Sequence, residues 1–238
     1  MMANTQSFAK TLDGAISRIV QGIAARPLHL SAEVDRFRIA RETTLGILSP
    51  LTPGQAAWTV RKDAWSIAQI ADHLLRSEEL YRGQFRKLIE LGRDGKSHTI
   101  YVSAREVDTS LALVPREVVP FFEIPMRMFN MFVPHVLRET MVRFPLVSAL
   151  NPRVSEPRAG LTVQQLTRDL TASLNETEEL FRDPLPVMPE SLSIDHPIMG
   201  NNNILQMLSI MAAHEERHHA QMRGVRDNAN FPRVAAIA

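Results

Sequence analysis

The stretch MAAHEERHHAQM (residues 211–222) sets three histidines and two glutamates into an otherwise apolar helical run. Residues four apart on an α-helix differ by about 40° in direction and about 6 Å in height. His214 and His218 therefore project together, in line with the apolar row Met207, Ile210 and Met211. A helix with this pattern aims two imidazoles at a protein interior. His219 points about 100° away from His218 and is expected at the periphery.

Working outward, the apolar pattern is helical almost throughout. Phe8, Leu12, Ile16, Ile19 and Ile23 form one stripe, and Val34, Phe37, Arg41, Leu45 and Leu48 form a second, stopped by Pro50 and Pro53. Ser66-x-x-Gln69 opens a third helix with a capping box, in which hydroxyl and amide each satisfy a free backbone N–H. Its row is Ile70, His73, Ser77, Leu80, Gln84 and Leu88, with Gly92 and Gly95 at its end. Thr162-x-x-Gln165 opens a fourth, carrying Leu166, Leu170, Leu174, Thr177 and Phe181, and Asn203-x-x-Gln206 opens the histidine helix itself. No run alternates convincingly enough for a strand, and HTIYVS (98–103) reads as an extended loop. Between about 97 and 160 prolines recur. This segment is too long for a simple connection and reads as an insertion, a lid or an oligomer contact. Its methionines and phenylalanines (Met126, Met128, Phe129, Met131, Phe132) read as a packing stripe or an apolar pocket. The whole chain is expected to be one domain, with 30–92 and 160–226 as its bundle core.

The 238 residues contain no cysteine and carry a net charge of +1. Zinc fingers, disulfides and a cysteine nucleophile are excluded, so a metal must be held by His, Asp or Glu. The balanced charge argues against nucleic-acid binding. No run of about 18 apolar residues suggests a membrane span, and Asp13 and Arg18 interrupt any signal-peptide core, so a cytoplasmic location is expected.

His73 lies on the inner row of the third helix, so three inward histidines on two helices can converge on one divalent ion and leave a position for water. Gln221, three residues past His218, is placed to orient that ring. The competing reading is a set of hydrogen-bonded core histidines. HEERH also fits HExxH, in which Glu215 would be the general base of a zinc protease. That reading lacks its third ligand. The positions three and six residues after His218 hold Gln221 and Gly224 instead of glycine and histidine, and no glutamate follows Glu216. Glu215 and Glu216 read instead as a solvated or ring-orienting pair beside Arg217. Glu215 is still the candidate general base that the motif supplies, with Asp72 and Glu178 as alternatives read mainly as solvated helix faces. Arg41, on an apolar row, reads as reaching past the core to solvent or as receiving a substrate carboxylate. Trp58 and Trp65 read as structural, packing the loop that enters the third helix.

WSIAQIADHLLRSEELY (65–81), preceded by LSPLTPGQAAW (48–58), and HPIMGNNNILQMLSIMAAHEERHHAQM (196–222) resemble two signature regions of the DinB/YfiT-like superfamily. The likeness covers roughly 30–92 and 160–226. It implies an all-α DinB-like four-helix bundle of up-down-down-up topology, here with an extra N-terminal helix and a long insertion between the second and third bundle helices. It also implies metal ligation by His73, His214 and His218, Gln221 as the trailing glutamine, and often a homodimer. Relatives include S-transferases and isomerases that use low-molecular-weight thiols. The function expected is therefore a divalent-metal (Zn, Ni, Fe or Mn) enzyme acting on a small molecule, as a thiol S-transferase or a hydrolase. A non-catalytic bundle with a structural metal and a helical interaction module are the alternatives.

Overall fold

The computed structural model describes residues 28–107, 117–143 and 155–233; the stripe from Phe8 to Ile23 lies outside them. In chain order the helices are α1 (Leu28–Leu48), α2 (Pro53–Ala57), α3 (Ile67–Arg93), α4 (Ala104–Val107), α5 (Glu123–Asn130), α6 (His135–Arg143), α7 (Val163–Leu180) and α8 (Ile204–Arg226). The four long ones, α1, α3, α7 and α8, form the bundle. Helix α1 packs on α8 and α7, and α3 completes the ring against those same two helices. The all-α bundle expected from the sequence is thus what the chain forms.

Local chemistry sets the helix starts. Ser66, Thr162 and Asn203 each accept the N–H of the glutamine three residues on, whose side chain returns the bond. A further box, Thr52 with Gln55, starts the short α2. Helix α3 ends at Arg93, and Gly95 turns the chain at φ +63°, where a side chain would be strained. The α3 row departs from expectation beyond Ser77. Leu80 is exposed and Tyr81 and Phe85 face inward instead, while Leu88 is buried as expected. Leu80 lies about 80° around the helix from Ile70 and Leu88, at the edge of the buried face.

A small sheet was not legible. Strand β1 (Thr99–Tyr101), inside the segment read as a loop, runs parallel to β2 (Ser193–His196), which pairs antiparallel with β3 (Gly200–Asn203). Three or four residues are too few to display alternation, and GNNN is a poor strand sequence, so tertiary pairing decides here. Gly200 has φ +73°, and a Cβ there would lie 2.8 Å from the Arg138 guanidinium carbon. The hairpin is fastened by His196, whose Nδ1 accepts the N–H groups of Ile198 and Met199 at 3.1 Å each. Among the described residues no helix is long and apolar enough to cross a membrane.

At the centre of the bundle stands Arg41, which is fully buried and does not reach solvent. From α1 its guanidinium donates to Glu78 of α3 (2.7 Å), to the carbonyl of Leu170 on α7 (3.3 Å) and to Glu215 of α8 (2.5 and 2.9 Å). Burial opposes its charge, yet the Glu215 and Glu78 carboxylates prevail and raise its pKa. Thr177 donates to the second oxygen of Glu78 at 2.6 Å, and Thr44 to the second oxygen of Glu215.

Two outcomes follow. Arg41→Met strands two buried carboxylates and should lower the unfolding free energy by about 3–5 kcal/mol in urea titration; a loss below about 1 kcal/mol would show that the network does not hold the bundle. The His196 ring must stay neutral at Nδ1, and burial first, then Arg127, lower its pKa from 6.5 to about 4. The unfolded chain therefore takes up a proton that the folded one refuses. This ring's stability contribution is complete above pH 6.5 and is lost as pH falls towards 4, by up to about 3 kcal/mol. Urea midpoints between pH 7 and 4 should fall, and His196→Asn should flatten the slope by that share.

Candidate metal centre

Helix α8 is apolar along Ile204, Met207, Leu208 and Met211, which bury against α1 and α3. One turn further this face presents His214 and then His218. From α3, His73 meets them. Nε2 of His214 lies 3.3 Å from Nε2 of His73 and 3.1 Å from Nε2 of His218. One ligand atom from each of the three rings falls within 4.8 Å of the others. Tetrahedral coordination with bonds of roughly 2.0–2.1 Å separates its nitrogen ligands by about 3.3 Å, so the two close separations fit a shared ion. The Trp65 ring packs on His73 at a centroid distance of 4.9 Å, so this tryptophan borders the cluster.

The tautomers follow from the outer partners. His73 Nδ1 lies 2.8 Å from the carbonyl oxygen of Ser155, which can only accept, so Nδ1–H donates and Nε2 keeps its lone pair. His218 Nδ1 donates in the same way to Gln221 Oε1 at 2.8 Å. Two lone pairs thus converge on His214 Nε2. A proton on that atom could point at only one of them, whereas a cation placed between the rings satisfies all three. Burial is the main cause that lowers the pKa of each ring, below its ordinary value for His73, to about 3 for His218 and well below the ordinary range for His214. For His214 and His218 nearby positive charge acts in the same direction, half-buried Arg217 among it, whereas at His73 Asp72 and Glu215 oppose Arg217. All three rings are therefore neutral near pH 7, the form that ligates.

No carboxylate belongs to this group. Glu215 was expected beside Arg217 on a solvated or ring-orienting face. It is 1 % exposed and turned to Arg41 and Thr44, with both oxygens engaged. Glu216 pairs instead with Arg143 of α6. His219, expected at the periphery, is buried; Thr44 gives its proton to Glu215, so His219 Nε2 donates to the Thr44 oxygen at 2.9 Å. Asp72 is also buried, contrary to the solvated-face reading, and is bound by Arg158 through its side chain at 2.6 Å and its backbone N–H at 2.6 Å. Glu178 lies 3.5 Å from Arg38, away from the cluster. Trp58 packs edge-on against Phe231.

Sequence reasoning missed Ser155, Arg158 and Tyr81. The first acts through its backbone, and the second sits in a proline-rich segment without periodicity. Tyr81 is one turn beyond Ser77 on the inner face of α3. These two residues, with His214, Leu74 and Met211, border a small cavity that offers ≈ 10 Å³ to the centre of a water molecule, room for about one. Burial pushes the Tyr81 hydroxyl pKa up to about 12, so it remains a donor. Its partner is the Met199 sulfur at 3.8 Å.

Comparison with curated proteins and with solved structures returned no match. The sequence profile of the DinB superfamily matches residues 36–222, a range that includes all three histidines and Gln221 and runs through the 97–160 segment. That range is most of the chain, its helices form the bundle the resemblance implied, and on this evidence the protein belongs to the DinB superfamily.

Proposed function

We propose that His73, His214 and His218 hold a divalent metal ion, and that the protein is a metal-dependent enzyme acting on a small molecule. The observation that carries this reading is the convergence of three neutral imidazoles, two with their lone pairs set inward by Ser155 and Gln221. Buried imidazoles without a proton to share are costly unless a cation meets them. Three neutral ligands leave the charge of an ion uncompensated. A divalent ion held there would supply Lewis-acid stabilisation to a thiolate or to the oxygen of a water molecule. Zinc, nickel, iron and manganese all accept such a donor set. The residues of the chain contribute orientation and exclusion of bulk water. Trp65 and the backbone at Ser155 close one side of His73, and Gln221 fixes the ring of His218.

With no cysteine in the chain, a thiol substrate must come from outside. Of the two reaction types, thiol S-transfer fits better than hydrolysis. Glu215, the base that HExxH would supply, spends both oxygens on Arg41 and Thr44. A thiol needs only deprotonation, which the charge of the ion favours. A structural role for the metal is the second reading, favoured by the 2 % exposure of His73 and His218.

Untagged protein should carry about one equivalent of a divalent metal by elemental analysis, and His73→Ala should lose it while keeping its far-UV circular dichroism. Wild-type protein that takes up no metal would end this reading. Gln221→Leu should weaken metal binding about 10–100-fold in chelator competition, because His218 loses the partner that orients it. A panel of low-molecular-weight thiols with electrophiles then separates the roles. Turnover lost with the metal supports the enzyme. A cobalt-substituted protein whose absorption spectrum ignores added thiol, and which unfolds on metal removal, supports the structural role.

A further inference from the structure

Arg217 stands between two ring-bearing positions of α8, three residues after His214 and one before His218. Helical spacing sets it about 60° around the helix from His214 and about 40° from Gln221. His214 and Arg217 are half-buried and Gln221 is exposed, whereas His218 and His219 are buried. The row 214, 217 and 221 is therefore the edge along which α8 opens the imidazole cluster to solvent. Other faces of the helix are covered by α1, α3 and α6. Arginines held at similar or greater depth all have partners: Arg36, Arg82, Arg127, Arg138 and Arg143 each bind a carboxylate or a backbone carbonyl. Arg217 has no hydrogen bond and no ion pair among the described residues. The carboxylates beside it in sequence are spent elsewhere, Glu215 on Arg41 and Thr44 and Glu216 on Arg143.

Burial lowers the Arg217 pKa and no anion restores it, yet a guanidinium keeps its charge near pH 7. That charge acts on His73, His214 and His218 alike, so Arg217 lies within electrostatic range of any ion the three rings hold. A guanidinium drawn partly out of water without a partner is unfavourable, and a cation beside it adds repulsion. An anion that meets both relieves the two together. Resting on the metal centre proposed above, we infer that Arg217 is an anion receptor at the mouth of that centre, and that the small-molecule ligand carries a carboxylate beside its metal-binding atom. A carboxylate accepts two parallel N–H bonds from the guanidinium fork and matches its single charge. A phosphate dianion asks for a second cation, and the nearby guanidinia of Arg41 and Arg158 are committed to Glu78, Glu215 and Asp72. Attachment at two points, the ion at one end and Arg217 at the other, decides which end of the ligand reaches the metal.

Cobalt-substituted full-length protein tests this, because capture of a thiol by the ion is read from visible absorption without turnover. The wild type should bind mercaptopropionate at least about 10-fold more tightly than the uncharged mercaptopropanol, the margin of one charge-assisted pair. Arg217→Gln should erase that margin while keeping its cobalt and its circular dichroism, and Arg217→Lys should retain part of it. Arg223→Gln, exposed about 120° further around α8, should leave the margin intact. A wild type that binds the two thiols equally, or a margin that persists in Arg217→Gln, overturns the carboxylate receptor and leaves the metal centre standing. Loss of cobalt or of the fold in Arg217→Gln overturns it as well, since that marks a structural residue. A cobalt spectrum indifferent to both thiols overturns it in favour of the structural metal, and a wild type that takes up no cobalt removes the receptor and the metal centre together.

Discussion

A single guanidinium ties the four bundle helices to one another. Arg41 leaves α1 and binds α3, α7 and α8 within one buried cluster. Desolvating an arginine and two carboxylates is expensive, and an apolar replacement of the same volume is often as stable. What the cluster contributes is register. Glu215 is chained to His214 by the peptide bond between them, so anchoring its carboxylate on Arg41 fixes the rotation of α8 about its axis. Glu78 does the same for α3, in which His73 lies five residues earlier. Rotating either helix by one residue, about 100°, would carry its histidine away from the other two. The ion cluster and the imidazole cluster are thus two readings of one helix setting.

The same constraint decides what the site can do. In a helix that reads HExxH, the glutamate is useful as a base only if it faces the histidines. Here one oxygen of Glu215 is held by Arg41, and Thr44, with His219 behind it, closes the other. The motif is present in sequence and absent as a constellation. What remains around the three rings is a set of charges already paired with one another, Arg41 with Glu78 and Glu215 and Asp72 with Arg158, beside half-buried Arg217.

Much of this was legible. Capping boxes at Ser66, Thr162 and Asn203 each started a helix at the expected residue, because a cap is chemistry between neighbours and needs no tertiary context. The inward aim of His73, His214 and His218 followed from helical spacing with apolar residues on either side. Arg41 and Asp72 were misjudged for one reason: a charged side chain is assigned to solvent unless its counter-ion is known, and their counter-ions lie 37 or more residues away. His219 was misjudged because both faces of α8 are covered, one by α3 and one by α1. Met128, Phe129, Met131 and Phe132, read as a packing stripe or pocket lining, are exposed, because an apolar stripe declares amphipathicity but not which side the rest of the chain will occupy.

The long connection between α3 and α7 does more than span a distance. Its final stretch, from residue 155 on, returns to two neighbouring residues of α3. Arg158 clasps Asp72, and the carbonyl of Ser155 receives the Nδ1–H of His73. Asp72 is fully buried while Arg158 remains half-exposed, so the pair is unevenly screened and its strength lies in geometry: Nη2 and a bifurcated Nε from the side chain, and the backbone N–H. Only two residues stand between the clasp and the carbonyl, too short a tether to let Ser155 wander from the ring. A backbone carbonyl as tautomer setter leaves no residue-type signature, since any side chain at position 155 presents the same oxygen. The residue identity that secures it is therefore Arg158, bonded not to the histidine but to the carboxylate beside it. In this fold α3 supplies the imidazole, and the connection between bundle halves decides which of its nitrogens carries the proton.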